Sequence, residues 1–183
     1  SITAANLEGS PDQDIDLAIA NQSSSTVTVF LNDGTGTFPA ADRKSHSLGV
    51  SLGPKSIVAR KLNNDVHVDL AVACESTDDV VMRLNQGDGR NFTISRYGPL
   101  TYYGVDAPQA IEAADLDLDG DQDLILVSYN NKISCIRNDG GSFSTYPINY
   151  SLSGFGTAVV AEDVTGDSMP DLIATTQDID TIK

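Results

Sequence analysis

Four units of similar pattern follow one another along the 183-residue chain. Each opens with a short run in which small or apolar residues alternate with polar ones: SITAANL, SIVARKL, AIEAADL and AVVAEDV, from residues 1, 56, 110 and 158. An Asp-rich loop follows, and then a hydrophobic run beginning Asp-Leu at residues 16, 69, 123 and 171. The first three units add a third run that ends in Asn and enters a Gly-containing turn. Such runs are typical of β-strands, and Asn and Gly favour tight hairpins because both accept positive φ.

Four short strands per unit, without helical periodicity, predict an all-β fold. Units of about 50 residues suit the four-stranded blades of a β-propeller, because solenoid coils are usually shorter. We therefore expect one propeller segment over 1–183, with repeats at 1–55, 56–109, 110–157 and 158–183. The last repeat stops early in its third strand, so we expect an incomplete propeller of three blades plus part of a fourth. It would belong to a larger ring or be completed by another chain. In each unit the fourth strand is expected to start at or just before the closing Phe.

Composition restricts the partners. The net charge is −15, and the acidic residues comprise 22 Asp and only 4 Glu. A nucleic-acid-binding face needs clustered Lys and Arg, which the sequence lacks, and the charge also disfavours anionic membrane surfaces. No apolar run is long enough for a transmembrane helix, so direct membrane insertion is not expected. Asp favours turns and is a compact hard ligand for calcium, so its excess over Glu indicates loops and metal binding.

The third unit contains the most regular acidic loop. Its candidate metal ligands are Asp115, Asp117, Asp119, Asp121 and Asp123. Carboxylates at positions 1, 3, 5 and 9 can surround one ion, position 7 can add a backbone carbonyl, and Gly120 at position 6 supplies the sharp turn. An all-oxygen set favours Ca²⁺, with Mg²⁺ a poorer fit and Zn²⁺ disfavoured by the lack of His and Cys. The alternative is a solvated acidic loop that holds no ion.

The other three loops match this pattern less closely. In the fourth unit, positions 1, 3, 5 and 9 are held by Asp163, Thr165, Asp167 and Asp171. The first unit has a loop two residues longer, with candidate ligands Asn6, Glu8, Asp12, Asp14 and Asp16. In the second unit Lys61 stands at position 1, and we hypothesise that its ammonium group replaces the ion. The alternative for Lys61 is a side chain directed to solvent.

The succession D-x-D-x-D-G-x-x-D, Asp-Leu-hydrophobic and N-D-G-x-G-x-F resembles the FG-GAP/VCBS repeat family, which includes integrin α-chain propellers, some fungal lectins and secreted bacterial proteins. The resemblance covers essentially the whole chain, and Phe155-Gly156 fits the "FG" element. It implies an extracellular, secreted or cell-surface propeller that is stabilised by Ca²⁺ and used for binding. It does not imply an enzyme, and partners vary within the family.

Loops alternate between the two faces of an up-and-down blade. With the strands of each blade called A to D, the A–B and C–D loops share one face and the B–C and D–A loops share the other. The segments after each closing Phe carry five of the six tyrosines. Tyr97, Tyr102 and Tyr103 are candidates for ligand contact, because Tyr combines a large apolar ring with a hydrogen-bonding hydroxyl. Alternatively, these rings cover the outer strand or pack between blades.

The first functional hypothesis is therefore an extracellular calcium-binding propeller that recognises protein or carbohydrate, as an adhesion or lectin-like module. One alternative is a non-catalytic propeller domain of a larger secreted enzyme, and another is a structural component of an extracellular filament or matrix. His46 and His67 belong to no recognisable catalytic arrangement. Cys74 and Cys135 are expected to be small hydrophobic residues in strands, although a single disulfide between them is possible.

Overall fold

The fold consists of antiparallel sheets that follow the repeats. The computed structural model describes residues 1–9, 13–50, 52–98 and 100–177. The first sheet contains β1 (Ile2–Ala5), β2 (Asp16–Asn21), β3 (Thr26–Phe30) and β4 (Arg43–Ser47), in that order. The second contains β5 (Pro54–Arg60), β6 (Asp69–Cys74), β7 (Asp79–Asn85) and β8 (Phe92–Tyr97), also in chain order.

The third sheet contains β9 (Pro108–Ala114), β10 (Asp123–Ser128) and β11 (Lys132–Ile136). A small hairpin of β12 (Asn138–Asp139) and β13 (Ser142–Phe143) precedes its outer strand, β14 (Ile148–Ser151). The fourth sheet contains β15 (Gly156–Glu162) and β16 (Asp171–Thr176). Three short 3₁₀ turns lie at Gln22–Ser24, Ala40–Asp42 and Thr101–Tyr103. Within the described residues, no helix is long and apolar enough to cross a membrane.

The hydrophobic core is divided among the seams between successive sheets. Val27 and Val29 of the first sheet pack with Leu70 and Val72 of the second. The next seam joins the second sheet to the third, and the last joins the third to β15 and β16. The strands β6 and β10 are buried at every position, because a neighbouring sheet covers each face of the blades to which they belong. By contrast, β2 in the first blade alternates between buried and half-buried residues. These sheets are the blades of a β-propeller, as predicted.

The ring is open, as expected for an incomplete propeller. Up to residue 177, where the described residues end, the fourth sheet contains two strands, and a groove of about 700 Å³ lies beside it. Ile133 and Cys135 of β11 line this groove. In the first seam, Val81 of β7 and Phe92 of β8 pack against the preceding blade. The groove therefore lies where a third and a fourth strand of the last blade would pack.

The predicted start of strand D is correct only in the second blade, where β8 begins at Phe92. In the first blade the chain passes through Pro39 and a 3₁₀ turn before β4, and in the third blade β14 begins just after Pro147. Proline has no N–H group to donate to a strand ladder, so pairing starts beyond it. Cys74 and Cys135 are both buried and free, so the possible disulfide is absent.

Candidate metal centre

A buried aspartate closes each of the first three A–B loops. Asp69 and Asp123 stand at position 9, Asp16 holds the equivalent place in the longer first loop, and each is nearly inaccessible to solvent. One carboxylate oxygen accepts the N–H of the residue at position 2, and the other accepts the N–H of the Asn that ends the third hydrophobic run of the unit. The first set of donors comprises Leu7, Leu62 and Leu116, at 2.8, 3.1 and 3.0 Å. The second comprises Asn32, Asn85 and Asn138, at 2.9, 2.8 and 2.8 Å. The closing aspartate of each loop therefore joins that loop to the C–D hairpin of the same blade.

The carboxylates at positions 1, 3 and 5 of the third loop form a cluster. Asp115, Asp117 and Asp119 each offer an oxygen, and these oxygens lie within 4.8 Å of one another. The Asp115 carboxylate also accepts the N–H groups of Asp119 and Gly120, at 3.1 and 2.9 Å. The loop is thus wrapped around its first side chain, and this brings the three carboxylates together.

The structure places the other two candidates of this loop beside the cluster. Asp121 directs its carboxylate to the N–H of Gly140, at 2.7 Å, in the C–D hairpin. Asp123 is the buried closing residue, and its burial raises the pKa of its carboxyl, with Asp117 and Asp119 contributing in the same direction. Only three of the five predicted carboxylates therefore converge on one point.

Arg137 provides the positive charge of this centre. It lies between β11 and β12, and its Nη2 is 2.6 Å from Asp117 Oδ2 and 3.4 Å from Asp119 Oδ2. The pKa of Asp119 is lowered, chiefly by the N–H of Asp121 and further by Arg137. The same carboxylates raise the pKa of the arginine. Sequence reasoning missed this residue, although an Arg stands where the first two units have Leu31 and Leu84.

The fourth loop repeats the geometry of the third. The Asp163 carboxylate accepts the N–H groups of Asp167 and Ser168, at 3.2 and 2.8 Å. Asp115 accepts the two equivalent N–H groups in the preceding blade. These bonds, led by that of Ser168, lower the pKa of Asp163. Asp171 accepts the N–H groups of Val164 and Thr165, at 3.0 and 3.1 Å. The predicted ligands at positions 1, 3, 5 and 9 therefore lie in one exposed loop that is folded around the Asp163 carboxylate, as the third loop is folded around Asp115.

The first loop is held by its neighbours. Glu8 forms an ion pair with Arg90 of the second blade, which also contacts Asp42 at 2.8 Å. Asn6 Oδ1 accepts the N–H of Gly9 at 2.6 Å, and Asp16 is the closing residue. A Cβ added to Gly34 would lie 2.8 Å from Asp14 Oδ2, so that carboxylate faces the C–D hairpin. Asp12 lies outside the described residues.

The second loop keeps part of the pattern without a ligand at position 1. Asp65 Oδ1 accepts the N–H of His67 at 2.8 Å, which is the bond that joins positions 5 and 7 in the third loop. Lys61 is exposed, and no ion pair joins it to a carboxylate within the described part of the chain. The solvent-directed alternative thus describes Lys61 better than replacement of the ion by its ammonium group.

Donor chemistry and spacing in the third loop fit a calcium ion. Ca²⁺ binds oxygens at about 2.3–2.6 Å, so oxygens on opposite sides of one ion lie about 4.6–5.2 Å apart. The oxygens of Asp115, Asp117 and Asp119 lie within 4.8 Å of one another, which is close enough for all three to contact one ion. A bound ion would neutralise these carboxylates and fix the loop.

Comparison with known proteins identifies the family. The pattern of the FG-GAP-like repeat matches three overlapping stretches, residues 11–72, 61–126 and 115–174. The chain belongs to the FG-GAP-like repeat family. No curated protein matches it significantly. Each match to the FG-GAP-like repeat runs from one acidic loop into the next blade, so the family unit spans a seam.

Solved structures support the same architecture. The chain is similar to BBS1N in a crystal structure of its complex with ARL6DN soaked with mercury, with a TM-score of 0.62 and 13% identity. A second crystal of that complex, soaked with lead, gives a TM-score of 0.63 and 13% identity. The alignments cover 97% of this chain but 47% and 50% of the BBS1N chains. This FG-GAP-like chain therefore spans about half the length of that neighbour, and at this identity the likeness shows the fold.

The FG element of this FG-GAP-like chain holds the last seam together. Phe155 stacks on Tyr129, with ring centroids 4.3 Å apart. Gly156 lies so close to β10 that an added Cβ would be 1.9 Å from Val127 Cγ1. The glycine thus allows strand A of the fourth blade to approach the third blade.

Two of the tyrosines predicted to contact a ligand are partly buried. Tyr97 and Tyr103 pack against the core of the second seam. Burial raises the pKa of Tyr97 to about 12. The Tyr103 ring lies edge-on to Tyr146, with centroids 5.5 Å apart. Tyr102 lies in the 3₁₀ turn at Thr101–Tyr103. The packing alternative describes Tyr97 and Tyr103 well, and a role in ligand binding stays a prediction.

The Asn that ends the third hydrophobic run makes the main contacts between blades that sequence reasoning missed. Asn85 Nδ2 donates to the Leu7 carbonyl of the first blade at 2.7 Å, and Asn138 Nδ2 donates to the Leu62 carbonyl of the second at 3.3 Å. The side-chain Oδ1 of Asn85 accepts the N–H groups of Gly87 and Gly89. The sequence signal for these contacts is that the third run of each of the first three units ends in Asn. A hairpin turn alone does not require Asn at this position.

Proposed function

We propose that this propeller segment binds Ca²⁺ in its A–B loops and presents a surface to a protein ligand. The observation that carries the proposal is the convergence of Asp115, Asp117 and Asp119 within 4.8 Å. These residues would hold the ion, and the loop of Asp163 and Asp167 would hold a second. The ion would act as a structural cross-link, since it would draw like charges together on an exposed loop.

A protein ligand is favoured over a carbohydrate by one comparison. BBS1N, the structural neighbour, is seen in a complex with ARL6DN. The segment of Tyr97, Tyr102 and Tyr103 is the proposed contact region. Carbohydrate recognition, as in a lectin-like module, is the competing possibility. Replacing Tyr102 and Tyr103 with Ser should weaken capture of a ligand in pull-down, and unchanged capture would argue against this region.

We further propose an extracellular or cell-surface location and a non-catalytic role, as an adhesion module. Both rest on the resemblance to calcium-stabilised repeat proteins and on the use of the acidic residues in loop structure. The remaining candidates are a non-catalytic propeller domain of a larger secreted enzyme and a structural component of a filament or matrix.

Thermal unfolding in excess chelator, followed by addition of Ca²⁺ or Mg²⁺, tests calcium binding. A ligand that binds only the folded state stabilises it by RT ln(1 + [L]/Kd), which is about 2.7 kcal/mol at a hundredfold excess over Kd. We expect a rise in Tm that Ca²⁺ produces and equal Mg²⁺ does not. Asp117→Asn should reduce the rise, and Asp106→Asn, outside the loops, is the matched control. A folded protein whose Tm does not respond to Ca²⁺ would disprove the proposal.

A further inference from the structure

We propose that Arg137 is a built-in competitor of the metal and sets the calcium affinity of the third loop. The inference rests on the proposed calcium binding. Arg137 occupies the oxygens that an ion would need: its Nη2 is 2.6 Å from Asp117 Oδ2 and 3.4 Å from Asp119 Oδ2.

Three other oxygens of the cluster are already used within the loop. Asp115 accepts two backbone N–H groups, and Asp119 Oδ1 accepts the N–H of Asp121 at 3.0 Å. The guanidinium contacts two oxygens outside this set, the Oδ2 atoms of Asp117 and Asp119. A divalent ion that enters must displace this group, and the lost ion pairs reduce the net free energy of binding.

The position of Arg137 is a departure from the internal repeat. In each of the first three units the third run ends in Asn, and the residue before this Asn is Leu31 in the first unit and Leu84 in the second. Leu31 is buried in a seam. In the third unit the side chain is 63% exposed and borders the groove beside the fourth blade. An arginine here contributes no core packing comparable to that of Leu31, whereas its charge faces the carboxylates.

Two consequences follow for the protein without metal. Arg137 partly neutralises the carboxylate cluster, so the third loop keeps its shape without an ion. Removing the arginine should therefore lower the stability in chelator and raise the affinity for Ca²⁺. A merely structural arginine would change stability equally with and without calcium.

The experiment compares Arg137→Leu, which restores the residue of the first two units, with Arg43→Leu. Arg43 is exposed on β4 and forms no ion pair among the described residues, so it controls for the loss of one positive charge. Calcium titration by calorimetry should give a Kd about five- to tenfold lower for Arg137→Leu, which corresponds to about 1–1.4 kcal/mol. The Kd of Arg43→Leu should stay within about twofold of the parent, since Arg43 belongs to the first blade and the loop to the third.

Two further measurements assign the effect to the third loop. In an Asp117→Asn background, Arg137→Leu should leave the remaining calcium affinity unchanged. In chelator, the Tm of Arg137→Leu should fall below that of the parent, and saturating Ca²⁺ should remove the difference. Equal Kd values for the Arg137 and Arg43 variants would overturn the competition while leaving calcium binding intact. Absence of a calcium response in the parent and both variants would overturn the proposed function, and the competition with it.

Discussion

Two residues with positive φ shape each of the regular acidic loops. In the third loop they are Leu118 and Gly120, at φ +60° and +98°, and in the fourth they are Gly166 and Ser168, at φ +80° and +71°. Each loop thus places glycine at only one of the two positions. A side chain in the left-handed region costs about 1–2 kcal/mol relative to the right-handed one, so the loops retain strain.

Replacing Ser168 with Gly should stabilise the fourth loop, by up to about 1 kcal/mol after allowance for the greater freedom of glycine in the unfolded chain. Gly120→Ala should destabilise the third loop by a similar amount, and only through the backbone, since nothing lies within 4 Å of an added Cβ. Denaturant unfolding measures both changes. A stable Gly120→Ala variant would show that the turn does not need its present conformation.

His46 makes stability depend on pH. Burial lowers its pKa below 6.5, and Arg83 and Lys44 act in the same direction. The unfolded chain therefore binds a proton more readily than the folded protein, and stability should fall as the pH drops through 6.5. His46→Gln should flatten this dependence between pH 7.5 and 5.5 in unfolding experiments. An unaltered slope for His46→Gln would contradict the argument.

At the scale of the elements, the blades are joined by one recurrent side chain. Asn85 is buried, bonds to the Leu7 carbonyl of the preceding blade, and also organises its own hairpin. Asn32 occupies the same position in the first blade, but its Nδ2 donates to Ile15 of the same blade, at 3.2 Å. The described bonds of Asn85 and Asn138 thus include one to the preceding blade, whereas the bond from Asn32 Nδ2 lies within the first blade.

Asn85→Ala should cost about 2–3 kcal/mol, because it leaves the buried Leu7 carbonyl without this donor and frees the hairpin N–H groups. Asn32→Ala is the matched control and should cost about 1 kcal/mol or less, since its contacts are exposed. Urea unfolding of the two variants measures the difference. Equal losses would mean that the interblade bond adds nothing to the role in the turn.

The sequence predicts these elements well because hydrophobic alternation and Asp-Leu starts are local signals. All four Asp-Leu runs are strands over the predicted residues, from β2 to β16. The fourth strands were placed less well, because Pro39 and Pro147 act on pairing in ways that the closing Phe does not indicate. In the candidate site, the spacing predicted the convergence of Asp115, Asp117 and Asp119. It did not separate these from Asp123, because burial depends on the neighbouring C–D hairpin.

At the scale of the whole molecule, the blades are held by face-to-face packing, and the last seam depends on one close approach. Gly156→Ala would introduce a methyl group 1.9 Å from Val127 Cγ1, and its φ lies outside the left-handed region. Such overpacking typically costs about 1–3 kcal/mol. Val127→Ala in the same chain should recover part of that loss, which a double-mutant cycle by thermal unfolding would detect. If the stability losses of the two substitutions simply add, the strain of Gly156→Ala does not come from its contact with Val127.

The interblade asparagines also impose an order on the making of the protein. The bond from Asn85 to Leu7 joins residues 78 apart, and that from Asn138 to Leu62 joins residues 76 apart. During synthesis on the ribosome, the acidic loop of one blade therefore cannot accept this hydrogen bond until most of the next blade has been synthesised. The second blade thus completes the first and the third completes the second, so each of these bonds can form only one blade behind the growing chain.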